Sequence, residues 1–211
     1  MNKKICSIVG AGINKGNLSL IKNSDFIIAA DGGYKYLSDG TVPDIFVGDF
    51  DSLDIIPQAK KIVKLIPQKD VTDTFECITQ GIEAGCEIFN IYCGTGGEFD
   101  HTFANIQCLI YLAKKGMKGY LFDGDKVITA IYNSSIAFSN EASGKISVFA
   151  ADSICVGVNI KRLKYELSSG QLNNDFALGV RNCFVGKGGI ISVKEGCLLL
   201  VFNKEALQNV I

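Results

Sequence analysis

Arginine is nearly missing from this chain. Of 21 basic residues among 211, only Arg162 and Arg181 are arginine, and His101 is the single histidine. A protein of this composition that handled phosphate would have to neutralise it with metal, lysine or backbone N–H groups. The eight cysteines, at positions 6, 77, 86, 93, 108, 155, 183 and 197, include no Cys-x-x-Cys pair, which together with the lone histidine excludes a zinc-finger reading. Most lie in apolar segments, where a free thiol behaves as a small buried hydrophobe, so a reduced cytoplasmic protein is expected. Charge of one sign is also lacking: the net charge is −1 and charged residues make up 20%, which gives no electrostatic footprint for nucleic acid or an anionic membrane. Long hydrophobic runs are absent too. Cys197 to Phe202 is far short of the roughly 20 residues a bilayer span needs. At the N-terminus Lys3 and Lys4 precede only Ile5 to Ile13, with no small-residue cleavage pattern, which reads as a first strand rather than a signal peptide. There is no internal repeat and no low-complexity linker.

What is present falls into two halves. Up to residue 125, apolar runs (Ile5–Val9, Phe26–Ala30, Ile45–Val47, Ile62–Leu65, Ile88–Tyr92 and Tyr120–Phe122) alternate with helical patterns. Thr72 to Ala84 repeats Phe75, Ile78 and Ile82 before Gly85; His101 to Lys115 places Phe103, Ile106, Leu109 and Ala113 on one face before Gly116. This alternation predicts an α/β domain over 1–125 with a mainly parallel sheet. From 126 to 211 short β-rich runs follow one another (Val127–Tyr132, Ile136–Phe138, Ile146–Ala150, Cys155–Ile160, Val180–Val185, Ile190–Val193 and Leu198–Phe202), and no helix of three turns fits between them. That half is expected to be an all-β, antiparallel, jelly-roll-like sandwich.

The chemistry concentrates in loops that follow the strands of the first half, the end at which open α/β sheets bind ligands. Gly48-Asp49-Phe50-Asp51-Ser52 sets two carboxylates on one side of an extended segment with no arginine beside them, an arrangement suited to a hard cation such as Mg²⁺ carrying phosphate. Asp31-Gly32-Gly33 follows the second strand, Asp70-Val71-Thr72-Asp73 opens the first helix, and Gly94-Thr95-Gly96-Gly97-Glu98-Phe99-Asp100-His101 opens the second. Helix N-termini attract anions. Standing alone, the Asp49–Asp51 motif is equally well explained by a polar turn, the Asp70–Asp73 motif by helix capping and His101 by a satisfied partner at a helix start, while the glycine loop is better explained by a tight strand-to-helix turn. Together they gather carboxylates that would repel one another without cations, which makes a metal–polyphosphate ligand the economical reading. Gly10-Ala11-Gly12 only partly matches a dinucleotide fingerprint, because position 15 is lysine and Gly16 comes one residue late. No Gly-x-x-x-x-Gly-Lys-Ser/Thr loop and no protein-kinase motif set is present, so any ATP chemistry must use another design.

In order and spacing, Asp31-Gly32-Gly33, Pro43-Asp44 with Gly48 to Ser52, Asp70 to Asp73, and Gly96-Gly97 with Asp100-His101 resemble the thiamine pyrophosphokinases. More loosely, Leu163-Lys164-Tyr165, Leu178 to Asn182 and Gly196 to Leu199 resemble that family's later segments. The resemblance implies an α/β catalytic domain followed by a β-sandwich, and a homodimer with thiamine bound between subunits. It implies transfer of the diphosphate of ATP to the hydroxyethyl group of thiamine, releasing AMP. Carried over by motif, Asp49, Asp51 and Asp73 would hold Mg²⁺ and act catalytically, with Asp73 nearest the nucleophile. Asp31, Gly32, Gly33, Asp70, Thr72, Gly96, Gly97, Asp100 and His101 would surround the nucleotide, and Tyr165, Arg181 and Asn182 the thiamine. Two positions depart from the pattern: Glu98 stands where the family has arginine, and Arg181 where it has serine. Lys69, beside the acidic motif, is the expected replacement for the missing cation. The rival readings are a diphosphotransferase of the same architecture acting on another alcohol, such as a hydroxymethyl pterin; a glycosyltransferase using Asp49 and Asp51 as a metal clamp; and a non-catalytic thiamine or nucleotide binder.

Overall fold

Six strands of the first half lie parallel in one sheet, most of them built from a short apolar run buried in the sheet. The computed structural model describes residues 3–37, 40–49, 57–65 and 71–211. The strands are β1 (Ile5–Val9), β2 (Phe26–Ala30), β3 (Ile45–Gly48), β4 (Lys61–Lys64), β5 (Ile88–Tyr92) and β6 (Lys118–Asp123), in the spatial order β6-β5-β1-β2-β3-β4. Ile8, Val9, Ile28, Phe46, Phe89, Ile91 and Leu121 are buried at its centre. The edge strand β4 is largely exposed and begins and ends in lysine, which discourages pairing with another chain.

Two helices cross over between strands. In α1 (Asp73–Glu83) the Thr72 side chain caps the start, accepting from the Phe75 N–H at 3.3 Å. The helix ends in a Schellman arrangement: Gly85, at φ +79°, donates to Ile82 O, and Cys86 donates to Gly81 O. Helix α2 (Phe99–Lys114) starts two residues before the sequence pattern suggested, so Asp100 and His101 lie in its first turn. Phe103, expected on the buried face, is 54% exposed; Leu109 and Ala113, expected with it, are buried, and Asn105, Cys108 and Leu112 complete that face. Short 3₁₀ turns at Leu18–Asn23, Asp31–Tyr36 and Lys204–Asn209 carry no apolar period and were not anticipated.

The chain divides into two compact units, Met1–Cys108 with Met117–Gly124, and Leu109–Gly116 with Asp125–Ile211. In the second unit β7 (Lys126–Tyr132), β9 (Lys145–Ala150), β12 (Gly179–Cys183) and β14 (Cys197–Asn203) pair antiparallel in the order β12-β9-β14-β7. A second antiparallel sheet has the order β11-β10-β13-β8, from β8 (Ser135–Phe138), β10 (Ile154–Lys161), β11 (Leu167–Asn173) and β13 (Gly189–Ser192). Phe138 joins the two, meeting Phe184 and Phe202 edge-on at 5.1 and 5.3 Å. β11 was missed in the sequence: Leu167-Ser-Ser-Gly-Gln-Leu-Asn is mostly polar and becomes a strand only by pairing with β10. Among the described residues no helix is long and apolar enough to cross a membrane.

Candidate functional site

Every strand of the parallel sheet ends at the same edge, and strand order reverses between β1 and β5. The chain leaves β1 for β2 on one side and later returns to β5 on the other. Such a reversal opens a crevice beyond the strand ends. A cavity of about 350 Å³ lies there, walled by Gly10–Gly12, Asp31, Thr72–Thr74, Cys93–Thr95, Gly97, Glu98, His101 and Asn105.

Backbone hydrogen bonds stitch its floor. Gly10, Gly12 and Ile13 donate their N–H groups to Tyr92, Cys93 and Thr95 carbonyls at 2.8, 2.7 and 2.9 Å. A Cβ on Gly12 would stand 2.6 Å from two of those carbonyl oxygens. The Gly10-Ala11-Gly12 segment therefore spends these amides on the neighbouring loop, and its glycines serve close approach rather than a phosphate cradle. Asn105, from the second turn of α2, donates to the Gly94 carbonyl at 2.8 Å and holds the same loop. Cys93 holds φ +53°, and burial pushes its thiol up to about 11 against a smaller opposing pull from Lys35.

Asp31 opens the 3₁₀ turn after β2 at φ +45°, and its Oδ1 is buried without a hydrogen-bond partner. A carboxylate oxygen in that state is costly unless a cation or donor completes it. Gly32 and Gly33 behind it are buried; a Cβ on Gly33 would lie 2.1 Å from Val9 O. Asp49 is half-buried directly after β3, next to Gly48, which touches Asp31. Thr72 and Asp73 line the cleft at the start of α1. Across it, Gly97, Glu98 and His101 line the start of α2, whose unpaired N–H groups favour an anion. Gly96 takes φ +80° beneath Ile13, and Asp100 is exposed, its Oδ1 accepting from the His101 N–H at 2.7 Å. Asp51, Lys69 and Asp70 lie outside the described residues.

Among the described residues no three His, Cys, Asp or Glu side chains form a metal-holding group. Mg²⁺ needs less, since it takes one or two carboxylates and completes its shell with water and phosphate. The orphaned Asp31 oxygen, with Asp49 and Asp73 at the same sheet edge, fits that demand. Sequence reasoning passed over Thr95 and Asn105; the signal for Asn105 was its place one helical turn beyond His101 on the face that carries Glu98.

In the second unit a cavity of about 260 Å³ is lined by Ile160, Tyr165, Leu167, Leu178, Val180 and Asn182, among others. Tyr165 is 60% exposed there, with the Lys164 ammonium 5.2 Å from its ring centroid. Asn182 is buried and wholly engaged: its Oδ1 accepts from Tyr165 N and Cys183 N, both at 2.9 Å, and its Nδ2 donates to Tyr165 O at 2.6 Å. Arg181 is exposed at φ +60°, its N–H donating to Ser147 Oγ.

Residues 18–121 match the family model described as "Thiamin pyrophosphokinase, catalytic domain". Thiamine pyrophosphokinase of Bacillus subtilis (strain 168) is 26% identical over 183 residues, covering 82% of this chain and 85% of the relative. Among solved structures, thiamine pyrophosphokinase from Bacillus subtilis superposes with a TM-score of 0.83 at 24% identity, covering 95% of this chain and 99% of that one. The yeast thiamin pyrophosphokinase gives 0.77 at 16%, covering 98% and 89%. At these identities the structural likeness is one of fold.

Proposed function

The chain belongs, through its catalytic domain, to the thiamine pyrophosphokinase family, and on that premise we propose that it transfers the diphosphate of ATP to the hydroxyethyl group of thiamine, giving thiamine diphosphate and AMP. The observation that carries the reading is the cleft at the strand-order reversal, where Asp31 presents a buried oxygen with no partner opposite the anion-attracting start of α2. Asp49, Asp51 and Asp73 would hold Mg²⁺, which when bound would neutralise the polyphosphate and the departing AMP. Asp73, at the first position of α1, would accept the proton of the thiamine hydroxyl, a general-base contribution of typically about 10²–10⁴-fold. Holding the alcohol in line with the β-phosphorus would supply more. The nucleotide would lie along Asp31 to Gly33 and Gly96 to His101, with Lys69 and Asp70 beside it.

Tyr165 offers an aromatic face to the cationic thiazolium, and Asn182, which lines the same cavity, holds Tyr165 by its backbone. The enzyme would act as a homodimer. Eight cysteines in the thiol form, seven of them buried, agree with a reducing, cytoplasmic setting.

Purified protein incubated with Mg-ATP and thiamine should yield AMP and thiamine diphosphate in equal amounts. Folded Asp49→Asn and Asp73→Asn variants should lose at least 100-fold in turnover. ADP with thiamine monophosphate would refute the diphosphate transfer. A second reading is favoured by Glu98, an anion lining the nucleotide cleft: a binder without turnover, recognised by thiamine affinity in the absence of AMP release.

A further inference from the structure

The described lining of the cleft contains no lysine or arginine; its charged side chains are Asp31, Asp73 and Glu98, with His101 the only other titratable base. A triphosphate entering such a cleft would gain a charge-assisted hydrogen bond from a protein cation beside any metal. Lys15 is joined to the cleft wall by hydrogen bonds. It belongs to the loop after β1 that is stitched to the loop after β5 by the Gly10, Gly12 and Ile13 amides. Two residues before it, Ile13 lies over Gly96, so close that a Cβ there would be 3.1 Å from its side chain. The Lys15 ammonium is bonded to Asp123 Oδ1, and the same oxygen accepts from the Thr95 hydroxyl at 2.6 Å. Thr95 lines the cleft, so the ammonium rests two hydrogen bonds from its wall.

We propose that Lys15 is a phosphate-binding residue of this protein, parked on Asp123 while the cleft is empty and moving to the nucleotide's phosphates when it fills. The proposal rests on the nucleotide-binding reading above. The pair is poised for such an exchange. It is about one-third exposed on both sides, so the ammonium exchanges partners without a large desolvation cost. The lysine has three N–H donors and a flexible stem, whereas the loop's amides at Gly10, Gly12 and Ile13 are already spent. Thr95 keeps a hydrogen bond to Asp123 after the lysine leaves, so the carboxylate is not stranded.

Nucleotide binding measured by calorimetry, without thiamine, tests this apart from turnover. Mg-ATP, Mg-ADP and AMP are titrated into wild type, Lys15→Met, Lys15→Arg and Asp123→Asn. Lys15→Met should weaken Mg-ATP at least tenfold and AMP less than threefold, with the melting temperature little changed, and Lys15→Arg should recover most of the loss. Asp123→Asn, which removes the competing carboxylate, should bind Mg-ATP as tightly as wild type or more tightly. Equal weakening of all three nucleotides by Lys15→Met, or Mg-ATP affinity within twofold of wild type, overturns the proposal. Wild-type protein that binds Mg-ATP but makes no thiamine diphosphate would refute the enzyme assignment while leaving the Lys15 result standing. Wild type that binds no nucleotide overturns both.

Discussion

Gly48 and Asp31 come so close that a Cβ on Gly48 would lie 3.1 Å from the Asp31 Cα and 3.2 Å from its buried Oδ1. The end of β3 is thus a template for the Asp31 carboxylate. Gly48→Ala should push Asp31 from its place at a cost of about 1–3 kcal/mol in stability, typical of overpacking, and lower turnover with thiamine and Mg-ATP by tenfold or more. Asp31→Asn should lower turnover as strongly while leaving stability unchanged or improved, because an amide tolerates the buried, partnerless position better than a carboxylate does. Chemical denaturation beside a steady-state assay separates the two; equal stability loss in both variants would refute the template.

The glycines of the site divide into structural and open ones. Gly33→Ala would drive a methyl group to 2.1 Å from the Val9 carbonyl oxygen, with two Gly10 backbone atoms also under 3 Å. All three atoms are backbone and cannot swing aside, so the variant should lose more than about 3 kcal/mol or fail to fold, a loss of the size that marks a named core clash. At Gly97 the nearest atom to an added Cβ is the Gly12 Cα at 3.9 Å. Gly97→Ala should fold with a melting temperature within a few degrees of wild type and weaken nucleotide binding instead. Thermal melts of the pair decide the matter.

Much of this arrangement is legible in the sequence, for a physical reason. β5 and β14 are near-continuous apolar runs, and Gly85 and Gly116 sit at positive φ after the helices. Local chemistry therefore fixes where those elements begin and end. β11 is different: Ser168, Ser169 and Gln171 face solvent, and its strand state comes from pairing to β10 with register shifts. Phe103 misleads because a helical stripe follows from period alone, whereas the exposed first turn of α2 carries His101, with Glu98 just before it. Within the site, the loops that follow parallel strands were bound to meet at one edge, so their convergence needed only the strand directions. The Lys15–Asp123 contact joins residues 108 positions apart, and no local pattern announces it.

Asn182 makes three hydrogen bonds to backbone, two of them to Tyr165, while itself buried. Its removal strands the Tyr165 and Cys183 amides and the Tyr165 carbonyl; a group left buried without a partner costs about 1–3 kcal/mol, and less here, where the groups are only partly buried and water reaches the exposed Tyr165. Asn182→Ala should therefore destabilise the protein by about 2–4 kcal/mol, within the range of buried-network losses, and raise the KM for thiamine more than that for Mg-ATP. Tyr165→Ala should raise the thiamine KM with little loss of stability, since that side chain is 60% exposed. If Asn182→Ala raised both KM values equally, its role would be general folding and not the setting of Tyr165.

Buried acids give the protein an alkaline limit. Burial pushes the Tyr92 phenol from 10.0 up to about 12, against smaller opposing hydrogen bonds from Ser7 and Asn90, and pushes the Cys93 and Cys108 thiols from 9.0 to about 11 and Cys197 to about 12. In the unfolded chain these groups ionise at their ordinary values, so the folded state binds the extra protons. The stability they contribute is complete below pH 9 and is lost as pH rises through 9 to 12. Asp123 behaves in the opposite sense: burial raises its carboxyl, but the bonds from Lys15 and Thr95 outweigh that and hold it below the ordinary value, so its contribution is present at neutral pH and lost as pH falls through the acid range. Urea midpoints measured with reductant should be level from pH 7 to 8.5 and fall steadily above 9. Cys108→Ala should make that decline shallower between pH 9 and 11, and Tyr92→Phe should do so only above pH 10. An unchanged midpoint at pH 10.5 in the wild type would mean that the buried thiols do not carry the pH dependence assigned to them.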